Sequence, residues 1–269
     1  MRDKFTLSGG QSAKLEIAID RNYGSTVDVE WLCSGENFKQ VSSLARGEAE
    51  LIIKPRPTLT ISTPPDLSLT ASTFLAWLEA REKLHFFLTG EEVHIKDMFV
   101  VDEATLARTD IMPVFRPAGA TNRMALDWKV KLGMKPSYEE VDVMKYKGAN
   151  GPKVPELYYI NRSIRPDENT LGDDAQSPDQ LIAVPNITWT NLYGWSDVDN
   201  LHFLITGKHL DSEGTWTWFP NDRLPGDGKV AFGYWYSGYD EADFYWGYRY
   251  GRNSNIGARV AIPLLLKPS

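Results

Sequence analysis

Few side chains in this sequence are placed to do covalent chemistry. Cys33 is the only cysteine, so an internal disulfide, a thiolate zinc cluster and a paired-cysteine redox site are all excluded, and it reads as a small buried hydrophobe. The four histidines are His85, His94, His202 and His209. Even His202 and His209 lack helical ligand spacing, and all four read as strand or surface residues. The run SDVDN at 196–200 offers Asp197, Asp199 and Asn200 as oxygen ligands. Neither the glycine at the sixth position nor the glutamate at the twelfth follows, as an EF-hand calcium loop needs. Asp173 and Asp174 adjoin each other in a polar segment where solvation is the default, and no Gly-x-Ser-x-Gly elbow, phosphate loop or dinucleotide glycine pattern is present. The expectation is a chain with no catalytic residue, no metal and no cofactor, and not an enzyme.

The distinctive chemistry is aromatic. Between Phe232 and Tyr250, ten of nineteen residues are Phe, Trp or Tyr, interleaved with Gly, Ser and Asp. A core strand carries aliphatic residues and a disordered tail few aromatics, so neither accounts for this composition. Tyrosine supplies a large, rigid, amphipathic contact with two torsions to freeze, and Ser, Gly and Asp add adaptable polar contacts, the mixture found in antibody paratopes. The other reading is that these aromatics fill a core, a role that suits Phe232, Trp235 and Trp246 best.

Several elements must position that stretch. The length of 269 residues favours one large or two medium domains, and 42% hydrophobic with 24% charged residues is ordinary for a globular protein. AKLEIAID (13–20) and VDVEW (27–31) alternate with period two and predict strands, with TLTIS (58–62) a last one before Pro64-Pro65. STFLAWLEAREKLHFFL predicts a helix with Phe74, Trp77, Leu78 and Leu84 on one face, Ser72 as cap and Gly90 as stop. LHFFLTGEEV (84–93) recurs as LHFLITGKHL (201–210), read as two similar strand-turn pieces. KPSYEEVDVMKYKG predicts a second helix, capped by Ser137, with Glu139 and Glu140 in its first turn and Val141 and Met144 on one side. NSNIGARVAIPLLL predicts a buried terminal strand over 256–262, with Gly257 allowing close backbone approach and Arg259 a structural hydrogen-bonder.

Four pieces of the C-terminal half resemble the C-type-lectin-like domain of the variable proteins made by diversity-generating retroelements, of the phage major-tropism-determinant type. PVFRPAG (113–119) resembles the family's domain entry, and MKPSYEEVDVM (134–144) resembles its helix opened by a Leu-Pro-containing turn. TWTWFPND (215–222) is similar to its Trp-Thr-Trp strand, and AFG (231–233) running through to IGARVAI (256–262) to its closing segment. Formylglycine-generating enzymes share this fold, but their activity uses cysteines, and this chain has only Cys33. The resemblance covers about residues 110–266. It departs from the family in a short 120–136 segment and in lacking a Gly-Ser-Arg element within the aromatic stretch.

Periodicity predicts a small β-sandwich-like module over 1–63 and a helix-containing connector over 64–109, and the resemblance implies a C-type-lectin-like domain over 110–269, which together make an α+β chain. The resemblance also implies that adenine rewriting near the 3′ end of the gene diversified the segment 234–254. The ligand-binding residues are then Tyr234, Tyr236, Ser237, Tyr239, Asp240, Asp243, Tyr245, Tyr248, Tyr250 and Asn253, with Trp235 and Trp246 fixed scaffold. Tyr236, Tyr239, Tyr245, Tyr248 and Tyr250 should be more exposed than those tryptophans and share one face. The implied function is receptor or ligand binding by a phage-borne virion protein such as a tail fibre, made in the host cytoplasm. Its partners would be a host-surface protein or glycan in host attachment, other virion proteins through the N-terminal module, and copies of itself in a homotrimer. A structural virion component and a carbohydrate-binding lectin are the alternatives. The net charge of −7 is spread along the chain, which argues against nucleic acid, and no apolar run is long enough for membrane insertion.

Overall fold

The computed structural model describes residues 2–9, 13–20, 65–137, 143–226 and 228–268. The chain divides into two compact units, Met1–Thr60 and Ile61–Ser269, and mixes helix with sheet in the α+β manner. Within the first unit, β1 (Arg2–Gly9) and β2 (Ala13–Asp20) pair antiparallel, with Phe5 opposite Ile17 and Leu7 opposite Leu15. The period-two reading of AKLEIAID thus meets a strand with the expected bounds. The strands expected at 27–31 and 58–62, and the sandwich they would complete, lie outside the described residues.

The second unit opens with helix α1 (Phe74–Thr89), for which Thr73, rather than Ser72, accepts the Ala76 N–H as N-cap at 3.4 Å. Gly90 ends it in the left-handed conformation, φ 77°. Trp77, Ala80, Leu84, Phe87 and Leu88 enter the main core, while Phe74 and Leu78 enter a second cluster with Phe99, Leu106 and Phe115. Segment 64–109, expected as a connector, is therefore packed into the second unit, because α1 is apolar around most of its circumference. Two short helices, α2 (Ile95–Met98) and α3 (Glu103–Ala107), complete it.

Strand β3 (Ile111–Arg116) follows, buried throughout, and then helix α4 (Asn122–Lys131), whose cap Thr121 accepts the Met124 N–H at 3.2 Å. The helix expected from Ser137 does not start there. Lys135–Ser137 is strand β4, running parallel to a neighbour at a sheet edge, and residues from Val143 onward form turns; 138–142 lie outside the described residues. Pairing with Glu241–Asp243 of the neighbouring strand holds Ser137 extended.

The remaining elements are β5 (Glu156–Asn161), α5 (Pro178–Ala183), β6 (Thr188–Trp189), α6 (Leu192–Thr206), β7 (Trp216–Arg223), β8 (Lys229–Tyr236), β9 (Glu241–Tyr248), β10 (Ile256–Gly257) and β11 (Val260–Leu264). They form a five-stranded sheet in the order β10-β7-β8-β9-β4 and a four-stranded sheet in the order β3-β5-β11-β6. Helix α6 is buried along Leu192–His202; its Trp195 meets Phe219 of β7 and Phe244 of β9 at 6.2 and 5.5 Å between ring centroids. The two similar LHF segments are not strand-turn pieces but the last turns of α1 and α6. Gly90 and Gly207 donate to the carbonyls of Phe86 and Phe203, both at 2.7 Å, and Thr89 and Thr206 donate back to the carbonyls of His85 and His202, both at 2.8 Å. The repeat is one helix-stop solution used twice.

The terminal segment joins both sheets. β10 pairs with β7, the chain bends at Ala258-Arg259, and β11 then pairs with β5 and β6. Gly257 is required at the crossing, because a Cβ there would lie 2.6 Å from Thr170 Oγ1 and 2.8 Å from Pro166 Cβ. Arg259 is fully buried as a hydrogen-bonding hub, as its sequence context predicts.

Candidate functional site

Strand alternation sorts the aromatic stretch. Ala231, Gly233 and Trp235 of β8, with Ala242 and Phe244 of β9, face the core under α6; Phe232, Tyr234 and Tyr236, with Asp243 and Tyr245, face the other way. Gly233 leaves room for inner rings, since a Cβ there would lie 3.0 Å from Phe244 and 3.2 Å from Phe219. Trp235 is 6% exposed and stacks on His209, which stacks in turn on Phe203.

The outer face has a covered and an open end. At the covered end Trp218, Val230 and Phe232 pack with Leu181 of α5, Trp189 and Ile256. Gly247 lets the Trp218 ring lie across β9, since a Cβ there would stand 2.5 Å from its Cη2. At the open end Tyr234 lies between Trp216 and Tyr245, with centroids at 5.0 and 6.4 Å and planes within 26° and 18°. Phe232 continues the row under Trp216 at 5.5 Å. Tyr236 and Tyr239 meet edge to face at 5.0 Å above the β8–β9 turn and are 40% and 68% exposed.

Register sets Asp243 opposite Tyr234 and Glu241 opposite Tyr236. Burial, then the Glu241 charge, raises the Asp243 carboxyl above its usual range, against the contacts with Tyr234 and Ser137. Burial and the Asp243 charge likewise raise the Tyr234 phenol. Lys135 on β4 pairs with Glu241 at 2.6 Å.

The expected site residues separate into three groups. Tyr234, Tyr236, Ser237, Tyr239, Asp240 and Tyr245 lie on the open face or in its turn. Asp243 belongs to the same face but is buried, so it underlies the surface and is not one of its exposed contacts. Tyr248 and Tyr250 are 50% and 70% exposed but do not join the others. Tyr248 falls on the opposite face of β9 from Tyr245, at right angles to Trp246, and stacks on Tyr250 at 5.5 Å. The expectation of a single tyrosine face is corrected to two clusters, because the period of two sends 245 and 248 to opposite sides. Trp246 is half-buried, with the Lys229 ammonium 3.5 Å from its ring centre. Asn253 is exposed in the loop before β10, its side chain accepting the Asn255 N–H at 2.9 Å.

Trp216 is the member of the open face that the sequence reading missed. Its signal is the alternation of TWTW, which puts Trp216 and Trp218 on one face. The acidic residues of SDVDN are held inside. Asp197 pairs with Arg81 at 2.6 Å, and Asp199 with Lys129 at 2.5 Å and with His209 at 3.1 Å. Burial favours protonation of Asp199, but the Lys129 and His209 charges outweigh it and hold the carboxyl well below the usual range. His85, His202 and His209 are all buried rather than surface residues.

No protein-family model, curated protein or solved structure matches this chain. Among the described residues no helix is long and apolar enough to cross a membrane.

Proposed function

We propose that this chain is a ligand-recognition protein that uses the open face of β7, β8 and β9 as its binding surface. In this reading it is a receptor-binding virion protein of the retroelement-diversified, C-type-lectin-like kind. The observation that carries the reading is the division of labour within one hairpin. Trp235 and Phe244 are sealed in the core, while Tyr236 and Tyr239 from the same segment stand in solvent beside Trp216, Tyr234 and Tyr245. Exposed aromatics in contact with one another supply binding area at little cost in side-chain entropy, and rigid strands beneath them keep that area pre-organised.

The test is a panel of bacterial surface proteins and glycans probed with the full chain and with Tyr236→Ser/Tyr239→Ser. Binding by the parent that the double variant loses supports the reading. Retention of all binding by the variant overturns it. In the gene, the retroelement origin predicts a near-copy of the segment coding for 234–254 beside a reverse transcriptase.

A further inference from the structure

Helices α4 and α6 bring a primary amine, a carboxylate and a carboxamide together in the interior. Lys129 of α4 is fully buried, and its ammonium donates to Asp199 Oδ2 at 2.5 Å and to Asn200 Oδ1 at 2.9 Å on α6. Asp199 and Asn200 are 0% and 1% exposed. The Asn200 Nδ2 is buried too, and among the described residues it has no hydrogen-bond partner. A buried amide nitrogen without a partner carries its full desolvation penalty. The hydrogen bond from Lys129 accounts for the Asn200 carbonyl but leaves that nitrogen unexplained.

The surroundings hold the three groups in place and away from water. Asp199 accepts the Leu210 N–H at 2.7 Å and faces His209 Nδ1 at 3.1 Å, and the His209 ring stacks with Phe203 and Trp235. The Lys129 ammonium lies 5.2 Å from the centre of the Trp195 ring. Burial lowers that ammonium from its ordinary range, against the attraction of Asp199. Withdrawal from water penalises both charges of the pair. Passing one proton across their hydrogen bond, to give a neutral amine and a neutral acid, therefore costs less here than in solvent. The amine then stands within reach of the Asn200 carbonyl with no water competing for it. Turning the carboxamide to present its face to Nζ gives up no hydrogen bond of Nδ2, because that atom makes none.

We propose that Lys129 and Asn200 condense into an intramolecular isopeptide bond, with Asp199 carrying the protons. Asp199 accepts a proton from the Lys129 ammonium, and the Nζ lone pair attacks Asn200 Cγ to form a tetrahedral carbon. Asp199 passes its proton to Nδ2, which leaves as ammonia with the electrons of the Cγ–Nδ2 bond. The surplus proton on Nζ returns to Asp199 and departs with the ammonia as ammonium. One C–N bond forms, one breaks, and nothing is oxidised or reduced. The new bond ties α4 to α6, whose Trp195 meets both β7 and β9, in a chain whose single cysteine, Cys33, allows no internal disulfide. Such a cross-link restricts the unfolded chain and fixes the support beneath the open face.

Mass spectrometry of the full chain, incubated overnight and then denatured, tests the bond. The parent should weigh about 17 Da less than the chain its sequence encodes, the mass of one ammonia, and Asn200→Ala, which keeps the Lys129–Asp199 pair, should show its full mass. Tryptic digestion of the parent should give a branched peptide in which 124–131 is joined through Lys129 to the fragment containing Asn200, whereas Asn200→Ala should release 124–129 alone. A parent at full mass would overturn the proposal. So would a deficit that Asn200→Ala retains, or one that maps to Asn150-Gly151, where succinimide formation also releases ammonia.

Discussion

Replacing Arg259 by Met should be among the most damaging single changes to the second unit. The fully buried guanidinium donates to the carbonyls of Ser163 and Ile164 at 2.7 and 2.6 Å, to Asp211 Oδ1 at 2.7 Å and to Thr217 Oγ1 at 3.3 Å. It thereby ties the loop after β5 to β7 at the point where the terminal segment crosses between sheets. Methionine fills much of the same volume but leaves Asp211 buried with only the Trp195 indole, at 2.7 Å, and the Thr217 and Thr215 hydroxyls, at 2.6 and 3.5 Å, to answer its charge. Breaking a buried pair by removing one partner costs about 3–5 kcal/mol. The two orphaned carbonyls bring the expected loss to the upper part of that range, a large share of the roughly 5–15 kcal/mol a domain has. Asp211→Asn in the Arg259→Met background removes the stranded charge and should recover about 2 kcal/mol. Urea unfolding of the full chain, followed by tryptophan fluorescence, reads both values. A loss below about 1 kcal/mol for Arg259→Met, or a double variant no more stable than the single, would refute the assignment of Arg259 as the hub.

Three further outcomes follow from buried groups. Burial pushes the Asp222 carboxyl, which accepts the Leu192 N–H, up to about 7. With the folded value above the unfolded one, the unfolded chain ionises first, so stability should fall by up to about 4 kcal/mol as pH rises from about 4 to about 7. Asp222→Asn should match the parent in urea unfolding at pH 4 and exceed it at pH 8. Burial, aided by Arg81, lowers His85 to about 4. Here the folded value lies below the unfolded one, so stability is lost as pH falls from about 6.5 to about 4, by up to about 3 kcal/mol, and His85→Phe should flatten that limb. Gly247→Ala forces a methyl into the Trp218 ring and should lower stability by about 1–3 kcal/mol in the same assay.

Where one local rule decides, the sequence was legible. The alternation of AKLEIAID and the apolar face and glycine stop of α1 follow from period and from residue type. Gly257 and Arg259 could be assigned structural roles because a glycine and an arginine in an apolar run have few other uses. Competition between signals hid the rest. Ser137 followed by two glutamates carries a good helix-start pattern, yet it ends a strand because β9 offers a partner that no local pattern encodes. The LHF pieces are apolar runs that periodicity alone does not divide between strand and buried helix, and α6 is buried nearly all round along Leu192–His202, polar residues included, so it shows no clean amphipathic stripe. Within the candidate site, composition identified the tyrosines, but only register showed that Asp243 lies beneath Tyr234 and that Tyr248 belongs to the other side. The carboxylates of SDVDN resembled ligands until Arg81, Lys129 and His209, distant in sequence, appeared beside them.

Replaceable surface and fixed support are separated within one hairpin in the proposed reading, and thermal unfolding of two variants tests that separation. Tyr236→Ser/Tyr239→Ser removes two exposed rings whose main contact is with each other, and the melting temperature should stay within about 3 °C of the parent. Trp235→Ser removes a buried ring stacked on His209, and a loss of about 3–5 kcal/mol should lower it by roughly 10 °C. A double variant that unfolds as early as Trp235→Ser would show that the tyrosines are part of the support, and the binding face would have to be abandoned.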